Sequence, residues 1–416
     1  MTSATPDPAH LPASGHGWTC PFCALLCEGF AGPADGAARC GRARDRIAAL
    51  GHAAGAARTA GGVVTLADAI AEAAARLASW RQPLFGGMAT DVAGARALYR
   101  LAARTGAICD HADGDALMHG VRAVQDRGQY IATIGEVHAR AHTIVFVGTD
   151  GAARWPRLAE RFGLTREDSP CRSLVFLGAA PPAAWSARAA ARHLAGSGDL
   201  LADVQQLAAW VARGPASRPA AADASLATLA DDLRASPYAV LVWEAGSLPE
   251  HGALIVERLN SIVGTLNQTT RAATFALAGN DGGASVNQTF TWLSGLPLRT
   301  RVSSAGLEHD PHRFGTARLL ADDAVDGVLW VQSFDAARVP PATTLPRIVL
   351  GPPAMAAKLD ANDVFIPVAT PGLNAHAHLF RTDGPVLLHL EAARDDGLAT
   401  VAAIAGELLR ALEPTA

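Results

Sequence analysis

Thr143-Ile144-Val145-Phe146-Val147-Gly148-Thr149-Asp150 is an unbroken β-branched and aromatic run that ends in glycine and two polar residues. A strand with no polar alternation is apolar on both faces, so it belongs inside a parallel sheet with helices on either side. Its polar tail then falls at the carboxyl edge, where the loops of such sheets gather and ligands sit. The pattern recurs on both sides. Upstream are Val63-Val64, Pro83-Leu84-Phe85-Gly86-Gly87 and Ala107-Ile108-Cys109. Downstream are Leu174-Val175-Phe176-Leu177-Gly178, Ala239-Val240-Leu241-Val242-Trp243-Glu244, Ala273-Thr274-Phe275-Ala276-Leu277, Gly327-Val328-Leu329-Trp330-Val331, Pro346-Arg347-Ile348-Val349-Leu350 and Val364-Phe365-Ile366-Pro367. Helical periods separate them. Thr65 and Asp68 make a capping start for a helix whose apolar positions are Leu66, Ala69, Ile70, Ala73, Ala74 and Leu77, and Val92 to Thr105 and Ala253 to Gly264 also read as helices. The fold class is therefore α/β, with Rossmann-like parallel sheets.

The chain divides on this reading into four parts. Residues 1–62 form an N-terminal cysteine-rich module, with Arg42 to Ala60 helical and Gly61-Gly62 a turn. Residues 63–178 form a first α/β domain. Residues 179–237 form a helical segment around Leu201, Val204, Leu207 and Val211, with no strand. Residues 238–416 form a second α/β domain with a C-terminal extension.

Four of the six cysteines stand at Cys20, Cys23, Cys27 and Cys40, in a C-x2-C-x3-C-x12-C run. Thiolates so spaced can wrap one metal centre, either a [4Fe-4S] cluster or a structural zinc. Nothing in Met1 to Gly17 has the basic start and apolar core of a secretion signal, so the expected setting is the reducing cytoplasm, where thiols stay available for metal. No apolar run reaches the roughly 20 residues that span a bilayer, so no membrane role is expected. A net charge of −4 gives no bias toward polyanions, and nucleic acid is not an expected partner. Lys358 is the only lysine, which excludes lysine chemistry elsewhere.

Several motifs resemble the B subunit of formylmethanofuran dehydrogenase, in the molybdopterin oxidoreductase group, and the likeness covers nearly the whole chain. They are Cys-Pro-Phe-Cys at 20–23 with Cys27 and Cys40, Val124-Gln125-Asp126 leading to Thr133-Ile134-Gly135-Glu136-Val137, Asn287-Gln288 with Thr291-Trp292-Leu293-Ser294-Gly295-Leu296-Pro297, and Asp363-Val364-Phe365-Ile366-Pro367. The resemblance implies a molybdopterin-oxidoreductase-like multi-domain arrangement. In that family the N-terminal cysteines hold a [4Fe-4S] cluster, and a tungsto- or molybdopterin reduces carbon dioxide to formate.

The departures from the family are specific. Its metal-ligating cysteine and neighbouring histidine fall on Ala116 and Leu117, which neither bind a metal nor move a proton. Its catalytic arginine falls near Glu308, a reversed charge. Its acidic-x-Gly-Thr pterin signature reads Asn374-Ala375-His376-Ala377-His378, and its Cys-Asn pair is absent from Gly148-Thr149-Asp150-Gly151. No catalytic and no pterin-binding residue is expected. Such a pattern resembles the B subunit of the formyltransferase/hydrolase complex of aerobic methylotrophs, a one-carbon assembly without redox chemistry. There a formyltransferase moves formyl from formyl-tetrahydromethanopterin to a methanofuran analogue, and a hydrolase releases formate. The implied role is a non-redox scaffold, with the hydrolase, formyltransferase and small subunits as partners. The alternatives are an active tungsten or molybdenum dehydrogenase component and a stand-alone zinc-stapled α/β binding protein.

The remaining candidates carry blander readings. His119, two places past Leu117, points to another part of its helix. His376, His378 and His389 imitate a metal triad but read as a polar turn or a subunit contact. Asn280-Asp281-Gly282-Gly283 reads as turn chemistry as readily as a phosphate cradle. Ser294 lacks a G-x-S-x-G frame. Cys109 and Cys171 read as buried small hydrophobes. Trp155, Trp185 and Trp210 read equally as core or as partner anchors.

Overall fold

Alternation along Thr143–Val147 decides what covers each side of a five-stranded sheet. Ile144 and Phe146 pack into a core shared with Phe22, Leu25 and Phe30 of the cysteine module. Val145 and Val147 pack into a second core under the helices Leu200–Arg213, Ala224–Ala235 and Gly252–Leu266. In space the strands run Ala191–Leu194, Ser173–Leu177, Thr143–Val147, Ala239–Glu244 and Ala272–Leu277, with every neighbour parallel. In chain order this is third, second, first, fourth, fifth. The winding reverses between Thr143–Val147 and Ala239–Glu244, and a crevice opens at such a reversal.

The second sheet has nine strands. Its five central members, Ile108–Cys109, Pro83–Ala89, Gly327–Gln332, Arg347–Gly351 and Val364–Pro367, are parallel. The hairpins Thr300–Ser303 with Gly306–His309 and Ala57–Thr59 with Gly62–Val64 close its two edges in antiparallel pairing. Leu66–Ser79, Val92–Thr105 and Val401–Ala411 cover one face, where Phe85, Leu329, Ile348 and Val364 lie. The expected Thr65 cap forms, its hydroxyl accepting from the Asp68 amide at 3.1 Å, and the Asp91 carboxylate caps the helix Val92–Thr105 by accepting from the Gly94 amide at 2.9 Å.

This is a computed structural model, and it describes residues 17–51, 55–186, 191–213, 224–384 and 386–413. The signal-peptide reading of Met1 to Gly17 therefore lies outside the described residues, Gly17 apart. No helix among the described residues is long and apolar enough to cross a membrane.

The α/β class and the parallel cores match the sequence reading; the domain limits do not. The nine-stranded sheet takes strands from 57–109 and again from 300–367, while the five-stranded sheet is continuous in sequence between them. The proposed units 63–178 and 238–416 each mix the two sheets. Each segment carries the same apolar pattern, and pairing partners are not written in it. The segment 179–237 also contains a strand, Ala191–Leu194, which pairs parallel with Ser173–Leu177. As an edge strand it is only half covered, so it lacks the apolar run that marks the others. Within the stretch Arg42 to Ala60, the helix ends at Leu50 and Ala57–Thr59 is a strand.

Candidate functional site

The loops at the carboxyl ends of the two sheets meet around a cavity of about 260 Å³. Glu244, Ala245 and Gly246 reach it from the reversal point of the five-stranded sheet. His111, Asp113 and Asp335 reach it from the nine-stranded one. Ala116 and Leu117, on the helix Gly114–Arg127, line it as well. Arg42 and Arg46 enter from the helix Gly41–Leu50, which begins directly after Cys40 and sets them one turn apart on one face.

Every arginine of this cavity is engaged by protein groups. Arg46 pairs with Asp335 and lies 3.9 Å from Asp281. Arg338 Nη1 donates to Asp113 at 3.0 Å and to Asp281 at 2.9 Å. Arg154 Nε lies 2.7 Å from Glu244, and Arg42 Nε donates to the Phe22 carbonyl at 2.6 Å. Glu244 also accepts from the Thr149 hydroxyl at 2.6 Å, Trp155 Nε1 at 3.1 Å and the Ser247 hydroxyl at 3.1 Å. Burial opposes ionisation of Asp113, but the Arg338 bond and the charges of His111, Arg338 and Arg154 together outweigh it and hold the carboxyl below its usual range. The reciprocal bond from Asp113 is the largest influence on Arg338 and holds its guanidinium firmly charged. Four carboxylates thus pair with three of the four guanidiniums that an anionic cofactor would need, and the fourth, Arg42, is held by backbone carbonyls. The cavity also falls short of the roughly 300–1,000 Å³ of ordinary ligand pockets. A tungsto- or molybdopterin does not fit this arrangement, since Ala116 offers no ligand atom and the guanidiniums are taken.

The cysteine loop forms the adjoining wall. The Cys20 amide donates to the Cys27 carbonyl at 2.9 Å, and the Leu26 amide to the Cys23 carbonyl at 3.1 Å, with Leu26 at a positive φ of 42°. Trp18 Nε1 donates to the Gly372 carbonyl at 2.7 Å, the Ala24 amide to Asn280 Oδ1 at 2.9 Å, and the Thr382 amide to the Ala24 carbonyl at 2.7 Å. The loop therefore touches both the end of the five-stranded sheet and the C-terminal hairpin. Cys20, Cys23 and Cys27 are buried and Cys40 is half-buried. Burial and the neighbouring Cys23 sulfur push Cys27 up to about 12, and burial likewise raises Cys20 and Cys23. Arg157 and Arg161 oppose the shift at Cys27, as Arg42 does at Cys23. Metal uptake here must release protons. Among the described residues, only His376, His389 and Glu391 form a group of three His, Cys, Asp or Glu ligand atoms all within 4.8 Å of one another. No three of the quartet's sulfurs are that close.

The other sequence candidates separate. Glu308 is on the exposed edge strand Gly306–His309, 3.7 Å from Arg301 and absent from the cavity, so the charge-reversal argument at that position falls. His119 is buried on the opposite side of its helix, in a separate groove with His251 and His312. The helix-start amides after Asn280-Asp281-Gly282-Gly283 are bonded to Asn280, Gly279 and Gly282 carbonyls, so the loop is a turn and not a phosphate cradle. Ser294 bonds the Phe290 carbonyl at 2.7 Å and caps its helix end. Cys109 is fully buried and Cys171 half-buried. Trp155, Trp185 and Trp210 are core residues at 1%, 7% and 8% exposure, whereas Trp292 is 62% exposed.

The sequence reading missed Arg46, His111, Asp113, Glu244 and Arg338, and saw Asp281 only as part of a glycine turn. The four-residue spacing of Arg42 and Arg46 after the last quartet cysteine was a legible signal. Nothing local marks Arg338, whose partners lie 225 and 57 positions away.

No family model matches the chain. It is 30% identical over 340 residues to the B subunit of the formyltransferase/hydrolase complex Fhc of Methylorubrum extorquens, covering 80% of this chain and 90% of that one. Among solved structures it matches a chain of the formyltransferase/hydrolase complex FhcABCD of Methylorubrum extorquens, crystallised with methylofuran. There the TM-score is 0.73 and the identity 27%, over 86% of this chain and 98% of that one.

Proposed function

Since this chain belongs to the B-subunit family of the formyltransferase/hydrolase complex, we propose that it is a non-redox scaffold in such a complex. Its partners in this reading are hydrolase, formyltransferase and small subunits, acting in one-carbon oxidation in the cytoplasm. One observation carries the reading: Ala116 and Leu117 line a cavity whose four arginines are already committed to carboxylates and carbonyls. A site with alanine at the family's metal-ligand position and with every arginine already bonded to protein groups supports neither metal-pterin binding nor formate reduction, so the active-dehydrogenase alternative is set aside.

The quartet Cys20, Cys23, Cys27 and Cys40 would hold a [4Fe-4S] cluster in preference to zinc. The family that this chain resembles carries such a cluster on its N-terminal cysteines, one cysteine to each iron. When bound, such a cluster supplies cross-linking and one-electron transfer. In this chain the residues around it serve the cross-link: Trp18, Ala24 and Arg42 tie the loop to Gly372, Asn280, Thr382 and Phe22.

Co-expression with hydrolase, formyltransferase and small subunits, followed by metal analysis of the purified assembly, tests the reading. We expect a defined complex with iron and without tungsten or molybdenum. Stoichiometric tungsten or molybdenum, or a chain that stays monomeric beside its partners, overturns it.

A further inference from the structure

Ala377–Phe380 and Leu387–Leu390 form an isolated antiparallel hairpin, with His378 directly opposite His389 and Ala377 opposite Leu390. Extending that register sets His376 opposite Glu391. Side chains alternate on a strand, so Ala377, Leu379 and Leu390 go inward to a small core, and His376, His378, His389 and Glu391 share the outer face. The buried side fixes the register, and with it the array above.

The array is close-set. Glu391 Oε2 lies 3.0 Å from His376 Nδ1, and Oε1 lies 3.3 Å from His389 Nε2. The His376 and His389 rings are parallel within 8° at 5.8 Å, and the His378 ring is 4.9 Å from that of His389. Donors at about 2.0–2.2 Å from one tetrahedral ion stand about 3.3–3.5 Å apart, close to the two separations observed. The Ala392 amide also approaches His376 Nδ1, at 3.3 Å, and a ring flip of this exposed side chain would present Nε2 instead. We propose that this face binds a divalent late first-row metal ion, such as zinc, through His376, His389 and Glu391. Imidazole and carboxylate together suit that class of ion, and one carboxylate bridging two rings already occupies the position of a shared ligand. The ion displaces any proton held between Glu391 and the rings, and no electron transfer is involved.

The test is titration of the full-length chain with Co²⁺ and with Zn²⁺, native against His389→Ala and Glu391→Gln. Both side chains are exposed, so unchanged melting temperatures should show that the variants fold. We expect native protein to bind one equivalent more than His389→Ala. That equivalent should give cobalt ligand-field absorption without the thiolate charge-transfer band that marks the cysteine quartet. Each substitution should weaken it by at least the roughly 10–100-fold that loss of an outer-shell partner costs. Equal stoichiometry and affinity in native and His389→Ala, undiminished binding by Glu391→Gln, or cobalt bound only with a thiolate band, each overturns the assignment.

Discussion

Replacing Glu244 with alanine strips one buried carboxylate of four donors at once. Glu244 is 4% exposed and accepts from Thr149 at 2.6 Å, Trp155 at 3.1 Å, Ser247 at 3.1 Å and Arg154 at 2.7 Å. A hydrogen bond to a charged group contributes about 1.5–3 kcal/mol, but the four do not count equally. Arg154 is 46% exposed in its side chain and can be rehydrated, so its pair contributes little. Trp155 and Thr149, at 1% and 4% exposure, are left without their carboxylate acceptor. Two orphans at about 1–3 kcal/mol each, with the lost carboxylate contacts, put the cost at about 3–5 kcal/mol. With a urea slope of about 3 kcal/mol per molar, the unfolding midpoint should fall by about 1–1.7 M. Glu244→Gln keeps an acceptor oxygen, and the Thr149 and Ser247 hydroxyls can turn to accept from its amide, so it should cost about half as much. An alanine variant within about 0.5 kcal/mol of the native protein, or a glutamine variant as damaged as alanine, refutes this account of the loop.

Three further outcomes are expected. Gly282→Ala sets a Cβ 2.1 Å from the Thr90 carbonyl at a φ of 77°, and should cost about 3 kcal/mol or more by urea unfolding. Cys27→Ser should remove iron from the purified protein and lower its melting temperature by several degrees; iron loss with an unchanged melting temperature shows that the quartet is no staple. Asp91, buried as the cap of Val92–Thr105, has its carboxyl raised above the usual range chiefly by burial. Its stabilising contribution is then complete below the unfolded value of about 3.9 and is lost as pH rises through the folded value. Asp91→Asn caps as well without the charge, so it should gain stability at pH 7 relative to native and lose that gain as the pH approaches 4; an equal effect at both pH values contradicts the burial argument.

What the chain disclosed in one dimension was whatever a few neighbours decide. Thr143–Val147, Ala239–Glu244 and the Thr65 cap were legible because apolar runs and caps act within a few residues. Pairing order was not, since Pro83–Ala89 finds Gly327–Gln332 by packing and not by any local code. Ala191–Leu194 escaped because an edge strand needs apolar residues only where it is covered. At the site, Ala116 and Leu117 were named through the family pattern and line the cavity, whereas the cavity's charge balance was not foreseen. Asp113, Asp281 and Arg338 become one network only after two sheets bring three distant loops together. Glu308 shows the converse error, a loop position assigned by count and moved by its hairpin to the rim.

The interrupted nine-stranded sheet also sets an order of assembly during synthesis. Pro83 pairs with Gly327, and 327 minus 83 is 244 residues of intervening chain. At roughly 5–20 residues per second, a ribosome takes roughly 12–49 s to deliver that partner. The five-stranded sheet, being continuous, can close within this interval, while Pro83–Ala89, apolar on both faces, has no partner on its Gly327 side. The nascent chain thus carries a sticky strand through most of its translation, and that window is where chaperone protection should matter.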